Sequence, residues 1–550
     1  MGFFALAKPK NEPGAAWPAI MVGMIAAFGG ILYGYDTGTI SGIQGMPFWI
    51  KQFFPGLNEG VDYRIDPTSL RVDAGEISLI VSILSVGTFV GALLAGILAD
   101  IAGRKWGLIL SAGIPFNLGV ILQVAATERS LFNAGRFFAG LGVGLVSVQV
   151  PMYQSETLPA WIRGFVVGSY QLCITIGLLL AALVNYGTQD RTDSGSYRIP
   201  LAIQFAWSII LCGGMLMLPE TPRFLIKKGK SEKAMESLKF LRRLDLGHPA
   251  LIQEYKEIHS NYQYENSLGN ASYVDCFKGS VGKRLLTGVV LQCLQQLVGI
   301  NFIFYYGTSY FQSRGATSLP SPFILQVITN VVNVVSTFPG LYAIDKLGRR
   351  PVLLAGALGM GISQYIVSAC GVATNLQNAA SVAAQFAFIC IYIFFFASTF
   401  GPAAWVVTGE IFPLRTRAKC LSMTTAANWF FNWLLAFITP YLTGADYADL
   451  GPNIFWIWGG FCWIAVAFVW LMIYETKNLT LEQVNELYGQ TSRAWRSKNF
   501  RPKVSWADVR MGEENQGGSI PDIAAPQEHK TSSVAGHDNR RHLIEKREKV

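Results

Sequence analysis

Apolar stretches of about 20 residues recur along most of the chain, each long enough to cross a bilayer as a helix. Twelve are counted, over about 18–42, 77–99, 107–126, 130–153, 164–186, 199–218, 285–311, 321–343, 351–373, 381–408, 420–441 and 453–473. Between the sixth and seventh lies a polar segment whose SEKAMESLKFLRRL run (231–244) has the periodicity of an amphipathic helix lying along a membrane face. From about 475 the chain turns polar, and after Asn499 its composition is that of a disordered tail. The pattern predicts an N-terminal segment (1–17), a six-span unit (18–218), a helical linker (219–284), a second six-span unit (285–474) and a tail (475–550). The first apolar run is too long for a cleavable signal peptide and runs into no small-residue cleavage site.

Composition agrees with the pattern. Of 550 residues, 51% are hydrophobic and 14% charged, against about 25% charged in soluble proteins. A mean hydropathy of +0.34 excludes a soluble enzyme of this length. The net charge of +9 raises the question of nucleic acid, and the placement of the charge answers it. Lys8, Lys10, Arg104, Lys105, Arg163, Lys346, Arg349, Arg350, Arg415, Arg417 and Lys419 fall in alternate loops, and the linker adds more basic residues. The opposite loops hold few. By the positive-inside rule both termini and the linker are cytosolic, and no nucleic-acid partner is needed to explain the charge. The eight cysteines form no CxxC pair, so neither a disulfide framework nor a zinc site is expected.

Three charged clusters repeat at nearly one offset. Asp100-x-x-Gly-Arg104-Lys returns as Asp345-x-x-Gly-Arg349-Arg, 245 residues on. Glu156-x-x-Pro-x-x-x-Arg163 returns as Glu410-x-x-Pro-x-x-x-Arg417 after 254, and Glu220-Thr221 as Glu475-Thr476 after 255. All six copies sit at predicted cytosolic helix ends. An even number of spans per unit gives both units one orientation, so this is a parallel repeat, with substrate expected between the units near mid-membrane. Positive-inside topology alone does not explain why the acids repeat with the bases. Pairing among Asp100, Arg104, Glu156, Arg163, Asp345, Arg349, Glu410 and Arg417 would latch a cytosolic gate.

Two charges lie inside spans. Asp36 and Arg136 each stand about six residues from the outer end of their span and so share a depth. A charge within a span costs at least ~2.5–3.5 kcal/mol on insertion scales, so the two are expected to pair. The functional reading is a proton switch, in which protonating Asp36 releases Arg136. The bland reading is a permanent structural ion pair.

The seventh span reads LQCLQQLVGINFIFYYG. Gln292, Gln295 and Gln296 share one helical face, and Asn301 follows beyond Gly299, where the helix can bend. A lone span amide usually joins helices. A cluster of this size suits a ligand whose hydroxyls both donate and accept, that is, a neutral polyol rather than an anion. Tyr305, Trp405, Asn428, Trp429 and Gln171 add hydroxyls, amides and flat faces against which a pyranose could pack. No GxxxxGK[ST] loop appears, so direct nucleotide drive is not expected. No regular Arg-rich helix or paired filter sequence points to a channel. No catalytic constellation, cofactor motif or metal-ligand set is seen, and the chain is not read as an enzyme.

Over about residues 15–490 the chain resembles the sugar porters of the major facilitator superfamily, with the flavour of fungal high-affinity hexose transporters. The matching motifs are GGILYGYDTGTISG (29–42), GRFFAGLGVG (135–144), PETPRFL (219–225), QQLVGINFIFYY (295–306), GPAAWVVTGEIFPLRTRAK (401–419) and ETKNLTLEQV (475–484). The resemblance implies an all-α membrane protein of twelve transmembrane helices in two pseudo-symmetric six-helix bundles, with short cytosolic helices between them. It also implies a monosaccharide cargo, bound by Gln171, Gln295, Gln296, Asn301, Trp405, Asn428 and Trp429. Asp36 and Arg136 match the coupling pair of proton-driven members, although some facilitators keep the Asp. Tyr474 and Asn478 stand where the family usually has Pro and Gly. The expectation is a plasma-membrane hexose:proton symporter working by alternating access as a monomer. The alternatives are a passive facilitator and a transporter-like glucose sensor, the latter disfavoured by the short tail.

Overall fold

The structure, a computed structural model, describes residues 13–55, 74–267, 272–313, 322–374, 379–444, 447–491 and 493–500. The tail expected to be disordered lies outside the described residues. Those described are helical throughout, with no strand among them.

In the first part of the chain the helices are α1 (Trp17–Ile43), α2 (Pro47–Phe53), α3 (Ala74–Ile101), α4 (Arg104–Ser111), α5 (Asn117–Ala125), α6 (Arg129–Thr157), α7 (Ala160–Thr188), α8 (Gly195–Ala202) and α9 (Gln204–Leu216). A π-helical turn at Ala112–Phe116, containing Pro115, joins α4 to α5 in one continuous span. The linker forms α10 (Pro222–Lys227), α11 (Ser231–Arg242) and α12 (Pro249–Ser267). Then come α13 (Gly279–Leu297), α14 (Ile300–Ser313), α15 (Pro322–Leu347), α16 (Arg349–Thr374), α17 (Ala379–Ser398), α18 (Phe400–Ile411), α19 (Arg417–Thr443), α20 (Ile454–Met472) and α21 (Leu481–Gln490).

Every predicted span falls on one of these helices or on a consecutive pair. Among the described residues, ten helical runs are long and apolar enough to cross a membrane, and α13 with α14, bent by 40°, make an eleventh. The remaining predicted span, 420–441, is α19. It has 27 residues but carries Thr424, Thr425, Asn428 and Asn432, all buried. Its polar groups face other helices, which is how a span can afford them in lipid.

Local chemistry sets the helix ends. Thr221 caps α10, its hydroxyl accepting from the Phe224 N–H at 3.3 Å. Thr480 and Gln483 close a reciprocal capping box on α21. Gly348, which opens α16, has φ of +103°, and Gly103, which opens α4, has φ of +95°; this backbone region strongly favours glycine.

Two helix pairs make the most extensive joints between the first part of the chain and the second. Along α3 and α19, Ser78 donates to the Phe437 carbonyl at 2.9 Å, Ser85 to Asn432 Oδ1 at 2.7 Å, and Ser422 to the Ala92 carbonyl at 2.6 Å. Along α7 and α15, the Phe165 N–H donates to Asp345 Oδ2 at 2.7 Å. A cavity lies between these seams.

Candidate functional site

Helix α13 ends at Leu297, and Gly299, with φ of +91°, turns the chain into α14. The bend carries Asn301 and Tyr305 back toward the glutamines of α13. Around the resulting cavity stand Gln171, Gln295, Gln296, Asn301, Tyr305 and Trp405, together with Tyr33, Thr37, Ile174, Leu178, Ile300, Phe304, Asn333 and Phe396. None of these lining residues is charged.

The amides form one network. Asn428 Nδ2 donates to Gln292 Oε1 and Gln295 Oε1, each at 2.7 Å, and Gln296 Nε2 donates to Asn428 Oδ1 at 2.9 Å. Asn301 Nδ2 donates to Gln296 Oε1. Gln295 Nε2 donates to the Gly401 carbonyl at 3.1 Å, just past the break between α17 and α18. Trp405 Nε1 donates to Gln171 Oε1 at 3.2 Å, linking α18 to α7. The Asn333 side-chain oxygen is buried in the wall without a hydrogen-bond partner. An acceptor left so is a place where a ligand hydroxyl gains a full hydrogen bond.

Two of the predicted contact residues stand elsewhere. Asn428 and Trp429 are fully buried and are not among the residues lining the cavity. Asn428 sits behind the glutamines and orients them. Trp429 donates to Ser147 Oγ at 3.1 Å and meets the Tyr33 ring edge-on, with centroids 4.9 Å apart. Their rotation about α19 turns them to the neighbouring helices. Conversely, Tyr33, Thr37 and Asn333 line the cavity without having been singled out. Asn333 carries the signal used for Gln171, an amide inside a span. Tyr33 and Thr37 carry no such signal.

Asp36 and Arg136 come together, Nη1 to Oδ1 at 3.6 Å, both buried. Neither Asp36 oxygen has a hydrogen bond of good geometry, nor do Arg136 Nε and Nη2, and the Gln204 side chain faces the Asp36 carboxyl. Asp36 lies on α1 one residue before Thr37, which lines the cavity.

At the charged end the repeat is rebuilt in space. Arg104 Nη2 pairs with Glu156 Oε1 at 3.1 Å, and Arg349 Nη2 with Glu410 Oε1 at 2.8 Å. Thr221 donates to Glu156 Oε2 at 2.6 Å, and Thr476 to Glu410 Oε2 at 2.7 Å. Glu220 accepts from the Arg104 N–H at 3.2 Å, as Glu475 accepts from the Arg349 N–H at 3.0 Å. Glu220-Thr221 and Glu475-Thr476 thus recur because each pair closes the same knot of charge.

The pairing departs from the sequence clusters in one respect. Arg163 makes no ion pair with Glu156; it donates to the Leu158 and Leu479 carbonyls, both at 3.3 Å, and faces Glu410. Arg417 likewise donates to the Phe412 carbonyl at 2.9 Å and stands 3.9 Å from Glu156. Glu156 and Arg417 thus meet across the two parts of the chain, while Arg163 is held by backbone carbonyls. Asp100 pairs with Lys227 at 2.8 Å and Lys419 at 3.5 Å more closely than with Arg104 at 3.9 Å.

The family model described as "Sugar (and other) transporter" matches residues 22–488. The chain is 55% identical over 528 residues to the "Major facilitator-type transporter ecdD" of Aspergillus rugulosus, covering 94% of this chain and 95% of that protein. It is 46% identical to the "Probable glucose transporter rco-3" of Neurospora crassa over 95% of this chain and 88% of that one. Among solved structures, the MFS proton:xylose symporter XylE bound to 6-bromo-6-deoxy-D-glucose superposes with a TM-score of 0.74 at 26% identity, over 86% of this chain and 100% of that chain. With its helix set, its neutral cavity and its twofold knot of charge, the chain belongs to the sugar transporter family of the major facilitator superfamily.

Proposed function

We propose that the protein carries a hexose, glucose foremost, across the plasma membrane by alternating access, with both termini and the charged end on the cytosolic side. The observation that carries this reading is the cavity itself. Its wall has several neutral amides, two tyrosines and an indole, and no charged side chain. A pyranose needs donors and acceptors around its rim and a flat surface against its C–H face. The relatives named as a glucose transporter and a proton:xylose symporter support the same class of cargo.

In this reading Gln171, Gln295, Gln296, Asn301, Tyr305 and Trp405 contact the sugar, while Asn428 and Trp429 hold them in place. Two six-span units, 18–218 and 285–474, rock about the cavity, and the linker 219–284 braces them on the cytosolic face. The knot of Asp100, Arg104, Glu156, Arg163, Asp345, Arg349, Glu410 and Arg417 latches the cytosolic gate. The protein works as a monomer.

Asp36 and Arg136 couple transport to protons. A buried pair only 3.6 Å apart, with its remaining valences unfilled, gains little from ionisation for the desolvation it suffers. A proton on Asp36 frees Arg136 beside Tyr305, and so ties the charge state to the cavity wall. Uptake into proteoliposomes with and without an imposed pH gradient tests both levels. Hexose flux with no accumulation above equilibrium leaves a passive facilitator, and no flux at all removes the transport reading.

A further inference from the structure

A directional run of hydrogen bonds leads from the first part of the chain into the amides of the cavity wall. Ser85 Oγ, on α3, donates to Asn432 Oδ1 of α19 at 2.7 Å. Asn432 Nδ2 donates to Gln296 Oε1 at 3.4 Å, and Gln296 Nε2 to Asn428 Oδ1 at 2.9 Å. Asn428 Nδ2 donates to Gln295 Oε1 at 2.7 Å, and Gln295 Nε2 to the Gly401 carbonyl at 3.1 Å. Each amide accepts through its oxygen from one neighbour and donates through its nitrogen to the next. Ser85 and Asn432 are both buried, and neither lines the cavity. The Tyr305 hydroxyl faces the same asparagine.

The direction of the run is fixed at its far end. A backbone carbonyl can only accept, so Gln295 turns its nitrogen to Gly401 and its oxygen to Asn428. The same constraint passes from amide to amide and leaves Asn432 with its oxygen toward α3. A buried oxygen there needs a donor, and Ser85 supplies one. Of the six residues in the run, Ser85 alone belongs to the first part of the chain. The orientation of Gln296 therefore depends on how α3 seats against α19. The neighbouring serines of this seam differ in kind. Ser78 donates to the Phe437 carbonyl and Ser422 to the Ala92 carbonyl, backbone acceptors that pass no orientation to a side chain.

We propose that Ser85 is a positioning residue for hexose binding. Through Asn432 it holds Gln296 in the orientation that meets the sugar, so the site is whole only while α3 is seated against α19. The proposal rests on the hexose-transport reading above and is independent of proton coupling.

The test is equilibrium binding of labelled glucose to the purified full-length protein, with sugar exchange in proteoliposomes measured beside it. Ser85→Ala takes the donor from a buried oxygen and lets Gln296 turn. The dissociation constant is expected to rise about three- to tenfold while the maximal exchange rate stays within about twofold of the wild type. In a Gln296→Ala background Ser85→Ala is expected to add nothing, since the side chain through which it acts is gone. Ser78→Ala loses a seam bond of the same strength and leaves the affinity at its wild-type value. Wild-type affinity in Ser85→Ala overturns the proposal. So does a loss that persists in full in the Gln296→Ala background, and so does an equal loss in Ser78→Ala, which would make the effect general to the seam. If Ser85→Ala cannot be recovered folded, Asn432→Ala carries the same expectations. Absent glucose binding and exchange in the wild type would sink the transport reading instead.

Discussion

The indole N–H of Trp405 donates to the side-chain oxygen of Gln171 at 3.2 Å, closing the cavity between α18 and α7. Tyr170, next to Gln171, meets the same indole edge-on with centroids 5.4 Å apart. The ring is therefore fixed from two sides before any ligand arrives. Trp405→Phe keeps an aromatic face and removes the donor that orients Gln171. The half-saturation concentration for hexose should rise about three- to tenfold, with little change in protein abundance. Equilibrium binding of labelled glucose to the purified protein measures it.

Gln296 holds Asn301, Asn428 and Asn432 in one chain of hydrogen bonds. Gln296→Ala withdraws a partner from a sugar hydroxyl and loosens the asparagines, at a cost of about 1–3 kcal/mol in binding. Glucose affinity should fall at least about fivefold. An unaltered affinity would show that the side chain only buttresses the wall.

Asp36→Asn leaves Arg136 buried without its counter-charge. The loss of one partner of a buried pair destabilises by about 3–5 kcal/mol, so lower abundance is expected alongside the transport effect. Uphill accumulation should vanish while exchange of sugar persists in part. Asp36→Glu, which restores the carboxylate, separates coupling from folding. Accumulation at the wild-type ratio in Asp36→Asn would refute the coupling role.

The charged end offers a contrast of magnitudes. Lys419 reaches Asp100 at 3.5 Å from a partly exposed position, and its removal should change stability by less than about 1 kcal/mol. Glu156 is fully buried among Arg104, Thr221 and Arg417. Glu156→Ala takes from Arg104 its nearest counter-charge in a fully buried site and should lower stability by about 3–5 kcal/mol. Thermal unfolding of the two variants in detergent compares them directly.

Glu257 supplies a pH dependence. Burial, with the nearby Glu482 carboxylate, pushes its pKa up to about 7 from an ordinary 4.5. Arg223, which pairs with Glu482 at 3.1 Å, acts in the opposite sense, as does the Thr480 hydroxyl. Folding thus favours the protonated form of Glu257. The stability it contributes is complete below about pH 4.5 and fades as the pH rises through about 7. Glu257→Gln should remove that fall and raise the melting temperature at pH 8 by about 1–3 °C, with no gain at pH 5. Equal shifts at both pH values would assign the effect to packing.

The sequence by itself determined whatever depends on near neighbours along the chain. The spans follow from runs of apolar residues. The amide face of α13 follows from the spacing of Gln292, Gln295 and Gln296, and the bend follows from Gly299. The two matching knots of charge, Arg104 with Glu156 and Arg349 with Glu410, follow from acids and bases recurring at offsets of 245 to 255 residues. The shared depth of Asp36 and Arg136 was legible too, because helix rise and span direction fix depth without knowledge of packing.

Tertiary structure alone decided which way each helix turns about its axis and what stands opposite. Asn428 and Trp429 are span residues of the right chemistry, yet α19 packs along α3 so that both are buried behind the wall. Tyr33 and Thr37 look like ordinary helix residues until α1 is set against α7. Arg417 stands 3.9 Å from Glu156 of the first part of the chain, although spacing ties each arginine to the glutamate of its own turn. Axial rotation is fixed by the sum of many contacts between distant segments, such as Ser422 on the Ala92 carbonyl, and no local pattern encodes that sum.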